Sequence, residues 1–120
     1  ADVLRAVDKV DRLVGGDTYL DVVRARAYSA MGKHRAAAAR ARRAVAANPL
    51  LPLAHWGLVS VLLGAKDFVG VARALDDVEE FTDYVVDDLE ADETYAEFVE
   101  SEAYKAWKAG REATDASDRM

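Results

Sequence analysis

Two histidines, His34 and His55, are the only imidazoles in a 120-residue chain that has no cysteine. They stand 21 residues apart, without the close spacing by which one turn or one helix face gathers metal ligands. His34 is expected at a helix start in solvent, and His55 on a helix face. The acidic run Asp87, Asp88, Glu90, Asp92 and Glu93 would draw a divalent cation. It lacks the ordered alternation and the glycine of a calcium loop, so a solvated connector is the expected role. Ser29, Ser60, Ser101 and Ser117 have no nucleophile-elbow context. The turns GGD and GAKD lack the spacing and the lysine-serine ending of a phosphate loop. No catalytic residue, metal ligand or cofactor is expected, and the chain reads as non-enzymatic.

What remains is surface, so the elements that shape it matter more. The residues are 52% hydrophobic and 32% charged, with 2 prolines and 7 glycines. Few turn formers and much alanine imply long helices in one domain of an all-α fold. No apolar run approaches the ~20 residues that span a bilayer, and no basic start leads into an apolar stretch. A soluble protein without membrane insertion is expected. The compartment stays open, with the cytoplasm slightly favoured over the periplasm. The chain starts at Ala1 rather than methionine, as a piece of a longer protein would.

Charge is strongly divided along the chain. Residues 22–66 hold eight basic groups and no acidic one, while 67–104 hold one basic and 14 acidic groups. The net charge of -6 conceals this asymmetry. The basic middle is expected to attract the acidic end of its own chain, with a charged docking surface as the alternative. The arginines of 35–43 have no interleaved aromatics, so nucleic acid is not an expected partner.

Apolar spacing predicts the helices. Val3, Val7, Val10 and Val14 mark a first one, stopped by Gly15-Gly16, and Asp17 caps the next. A second runs from Thr18 to Met31 until Gly32 breaks it. A third covers 34–47 and ends at Asn48-Pro49, because proline disfavours helix in the residue before it. Pro52 opens a fourth, which ends near Leu63. Asp67 caps a fifth carrying Phe68, Val71, Leu75, Val78 and Phe81. Residues 82–93 are an acidic connector without a period. Thr94-x-x-Glu97 has the form of a capping box, and Ser101 is a second cap. The polar stretch 110–120 is expected to fray.

The helices pair across short turns, and a 34-residue frame from Thr18 places Ala25 and Ala37 at the helix crossing, Tyr28 between them, Gly32 at the turn and Pro49 at the close. This resembles the tetratricopeptide repeat (TPR) family. A looser frame begins at Pro52, with Val59 and Val71 where small residues are preferred. Gly57 and Gly70 lie beside them and could make room. The resemblance divides the domain, 1–109, into a half repeat at 1–16, a repeat at 18–51, a divergent repeat at 52–81 and a connector with helical cap at 82–109. Its architecture would be a right-handed α/α superhelix of five main helices plus short capping helices. The element Tyr95-x-x-Phe98-x-x-Ser101-x-x-Tyr104-x-x-Trp107 is similar to one that follows such repeats in bacterial TPR-like domains. Its aromatics are expected to cover the last repeat helix, and the alternatives are a dimer or ligand contact or a place in the groove.

The resemblance implies a concave groove lined by the first helix of each pair. The positions are Tyr19, Val22, Arg26, Ser29, Leu53, Trp56, Ser60 and Leu63. Aromatic anchors beside an arginine suit a bound peptide or partner protein. The alternative leaves Leu53 and Trp56 in the core or under the C-terminal element. Val22 and Ser60 stand where a chaperone-binding member would carry lysine and asparagine, so a terminal carboxylate is not the expected ligand. The implied function is a protein-protein interaction scaffold. The alternative is self-association, as a dimer or head to tail, between the basic middle and the acidic end.

Overall fold

The structure, a computed structural model, describes residues 3–6 and 18–118, with side chains described as far as residue 114. Residues 3–6 are helical. The rest of the expected first helix, with Val7, Val10, Val14, Gly15, Gly16 and the Asp17 cap, lies outside the described residues. The main helices are α1 (Thr18–Ala30), α2 (His34–Ala47), α3 (Pro52–Gly64) and α4 (Phe68–Phe81). Two single turns of 3-10 helix, Leu89–Ala91 and Glu93–Tyr95, lead to α5 (Ala96–Val99) and α6 (Glu102–Asp118). Helix is the only regular structure among the described residues, so the fold is all-α.

Two hairpins form the body. In the first, α1 closes on α2 through a left-handed Gly32 (φ 75°). The Gly32 N–H donates to Ser29 O at 3.0 Å and the Lys33 N–H to Tyr28 O at 2.9 Å. These two bonds satisfy carbonyls that the helix end leaves open. The second hairpin repeats the device with Lys66 at φ 58°. There Lys66 N–H bonds Leu63 O at 3.1 Å and Asp67 N–H bonds Leu62 O at 3.0 Å. Asp67 then caps α4, its Oδ1 accepting the Gly70 N–H at 3.0 Å.

Small residues let the helices meet. Ala25, Ala37, Ala41 and Ala44 are each at most 1% exposed. Gly57 faces α1, where a Cβ would stand 3.1 Å from Val22 Cγ1. Gly64 likewise faces Ser29 Oγ. Both pairs are 35 residues apart in sequence, so α1 and α3 run parallel in a constant register. Gly70 serves a different end: a Cβ there would collide with the Asp67 carboxylate, so it admits the cap rather than a neighbouring helix.

After α4 the chain changes plan. An antiparallel third hairpin would turn back at once. Instead the connector returns along the body, and α6 packs on α4 in the parallel sense. Phe98 meets Phe68 at 6.1 Å between ring centres, Trp107 Nε1 donates to Asp76 Oδ1 at 2.7 Å, and Arg111 bonds Glu79. Phe98 is fully buried, and Tyr95 and Tyr104 are nearly so. The C-terminal aromatics thus cover α4.

Two local expectations are corrected here. Asp92, not Thr94, caps the turn after the connector, its Oδ1 accepting the Thr94 N–H at 2.9 Å. The Ser101 cap does form, its Oγ accepting the Tyr104 N–H at 3.2 Å. The expected polar tail from residue 110 is instead part of α6, which continues to Asp118. Arg111 supplies the anchor that its polar sequence disguises.

Candidate functional site

Helices α1 and α3 run parallel, and the eight positions expected to line a groove differ in exposure. Tyr19, Arg26 and Ser60 are exposed. Ser29, Leu53, Trp56 and Leu63 are half-buried. Val22 is 1% exposed and packs against Gly57. It belongs to the α1–α3 contact, so no ligand reaches it while the helices stay together. Arg26 has no acidic partner among the described residues. Leu53 packs on the small cluster of Val22, Ala44 and Ala54, while Trp56 and Leu63 pack on the main core. Tyr84 stands edge-on to Trp56 with ring centres 6.0 Å apart. The start of the connector, rather than the C-terminal element, therefore shelters the indole.

Among the described residues, clefts lie elsewhere. One, about 500 Å³, runs between α4 and α6 and is lined by Asp76, Glu79, Trp107 and Arg111 among others. The Arg111 guanidinium lies 4.5 Å from the centre of the Trp107 ring, a cation-π stack. A second, about 410 Å³, has Leu58, Leu62, Val45 and Ala46 in its lining, with Arg42, Arg73, Asp67 and Asp77. None of the eight groove residues lines either cleft.

The charges do not pair as their order along the chain suggested. Asp21 is 8% exposed and Arg24 5%. Around Asp21 gather Arg24 at 3.5 Å, Arg40 at 3.6 Å and Arg43 at 3.6 Å. The α1–α2 hairpin brings these arginines to the acid of their own first helix before the acidic third is within reach. That third draws its cations from α6 instead. Arg111 hydrogen-bonds Glu79 and holds its carboxyl below the ordinary value, helped by the Val86 N–H and opposed by burial. Lys108 bonds Glu90 at 2.8 Å and Tyr104 Oη donates to it at 2.7 Å. The two bonds lower the Glu90 carboxyl, and Glu90 raises the Lys108 ammonium. Burial pushes the Tyr104 and Tyr95 hydroxyls up. From the basic middle, Lys66 alone among the described residues reaches the acidic end, bonding Glu97 at 3.2 Å at the surface.

The histidines separate sharply. His34 is exposed at the start of α2. His55 is 1% exposed. Its Nε2 lies 2.6 Å from the Pro49 carbonyl, and because a carbonyl only accepts, Nε2 carries the proton. Its ring stacks on Phe81 with centres 5.9 Å apart, and Nδ1 is buried without a partner. Sequence spacing did not reveal this pairing, nor the exposed cluster beside it. Leu50, Phe81, Tyr84 and Val85 are exposed to 70%, 41%, 54% and 73%. The available signal was a group of large apolar residues, Phe81, Tyr84 and Val85, set among acids without a helical period.

Among the described residues no three potential metal ligands gather, and no helix is long and apolar enough to cross a membrane. Compared with protein-family models, curated proteins and solved structures, the chain gives no match.

Proposed function

We propose that the chain is a non-catalytic interaction module of TPR type, holding an extended peptide or a partner's helix across the strip formed by α1 and α3. The observation that carries the reading is exposure: Arg26 is exposed without an acidic partner among the described residues, and Trp56 and Leu53 are half-buried on α3, which runs parallel to α1. Half-buried aromatic and aliphatic side chains offer area at low entropic cost, and a nearby guanidinium adds a directed, charge-assisted bond. The TPR assignment is supported by the constant 35-residue offset between α1 and α3 and by the repeated left-handed turn at Gly32 and Lys66.

The test is selection of peptides from a random library on the immobilised protein. Binding should be lost in Arg26→Glu and in Ser60→Glu, both surface changes, and kept in Arg73→Glu on α4. Peptides that bind the two strip variants as tightly as the native protein would defeat the proposal. Circular dichroism of each variant separates lost binding from lost fold.

A further inference from the structure

The two ends of the hairpin body differ in charge and in apolar exposure. The turns at 31–33 and 65–67 lie at one end, and the loops at 48–51 and 82–85 at the other. A helix of 14 residues such as α2 sets the ends roughly 20 Å apart at 1.5 Å per residue.

The loop end presents Leu50, Phe81, Tyr84 and Val85. His55 and Trp56 hold these parts together, through Pro49, Phe81 and Tyr84. Four such side chains approach the few hundred Å² at which an exposed apolar patch marks an interaction site. Glu80 and Asp83 flank them, exposed and without an ion pair or hydrogen bond among the described residues. The nearest cations of α2 are turned elsewhere, Arg43 to Asp21 and Arg42 to the cleft it shares with Asp77. The last turn of α4 has no basic residue, so these acids add to the negative pole of the helix rather than offsetting it.

The turn end shows the converse. Met31 is 43% exposed, and Lys33, His34 and Arg35 are exposed beside it. The first turn of α2 has no acidic residue, and Lys33 at its N-cap makes no side-chain capping bond. Lys33 and Arg35 pair with no acid among the described residues. Positive side chains thus stand on the positive pole of α2. Each end breaks the same local rule, with opposite sign, and each would relieve the other.

We infer that the protein assembles head to tail with itself: the Met31–Arg35 turn of one copy seats on the Leu50, Phe81, Tyr84 and Val85 end of the next, with Lys33 and Arg35 facing Glu80 and Asp83. Met31 supplies the apolar knob, with the flexibility that suits an irregular patch. The two surfaces differ, so the contact is heterologous and leads to an open chain or a closed ring. It goes beyond the peptide-binding proposal and does not rest on it, because Arg26 and Ser60 take no part.

Sedimentation velocity over a concentration series at low and at high salt tests the inference. The native protein should form larger species at low salt that dissociate as salt screens the charges. Lys33→Ser/Arg35→Ser and Tyr84→Ser/Val85→Ser should each weaken association by roughly tenfold or more. Mixed together, the two variants should give a one-to-one complex that grows no further, since each keeps one intact end. A native protein that stays monomeric at low salt overturns the inference. So does assembly that survives in either variant, or a mixture that contains only monomers.

Discussion

Gly32 and Lys66 occupy the same station in successive hairpins, 34 residues apart, and both are left-handed, at φ 75° and 58°. Glycine adopts that conformation without penalty, whereas a residue with a Cβ pays roughly 1 kcal/mol or more. Lys66→Gly should therefore stabilise the protein by about 1 kcal/mol, despite losing the exposed Glu97 ion pair, which is worth little at the surface. Gly32→Ala should cost a similar amount. Chemical denaturation of the two variants checks both signs.

The contact between Val22 and Gly57 couples α1 to α3. Gly57→Ala gains helix propensity of about 1 kcal/mol but drives a methyl to within 3.1 Å of Val22 Cγ1. Overpacking a tight contact costs about 1–3 kcal/mol, so the single change should destabilise. In a Val22→Ala background the same change should become neutral or favourable. A double-mutant cycle by urea unfolding reads this sign reversal as the coupling energy.

Asp21 balances a nearly buried arginine and two more exposed ones. Removing the carboxylate leaves positive charges facing one another in a poorly hydrated place. Asp21→Ala should cost about 3 kcal/mol, the scale of a broken buried pair. Thermal melting gives the comparison, with Asp87→Ala, an exposed acid without a partner among the described residues, as the near-neutral control.

The attachment of α6 should weaken in acid. The Glu79 carboxyl is held below its ordinary value, first by the Arg111 hydrogen bond. Its contribution is therefore complete above the ordinary carboxyl range and is lost as pH falls through the lower folded value. Trp107, stacked under Arg111, should report this by fluorescence. Glu79→Gln should reduce that pH dependence and leave the part that Glu90 supplies through Lys108 and Tyr104, and Arg111→Ala should reduce stability at neutral pH as well.

Much of the helical framework was legible because it rests on local chemistry. Pro52, Asp67 and Gly32 act within one turn of themselves, and each marks the boundary expected of it. Ser101 belongs with them. What local chemistry does not encode is which partner a residue finds across space. Arg111 looks like a residue of a loose tail until α4 supplies Glu79. Val22 fits a groove position by counting, but the absence of a side chain at Gly57 draws it into the core. His55 reads as one more helix-face residue until the loop at Pro49 and the ring of Phe81 close over it. The charge blocks misled for the same reason, since a hairpin pairs Asp21 with arginines its own length away.

The parallel docking of α6 should also order the assembly of the molecule in time. Each hairpin closes a connection of only a few residues, which costs little loop entropy. Helices α5 and α6 meet α4 across separations of 30 to 32 residues, by way of a connector that is mostly irregular. They have nothing to dock on until Phe68, Asp76 and Glu79 stand on one formed helix face. Phe98 then completes the core from outside, as a keystone set after the arch is standing. The same dependence should run in reverse on unfolding, with α6 lifting away while both hairpins stay closed.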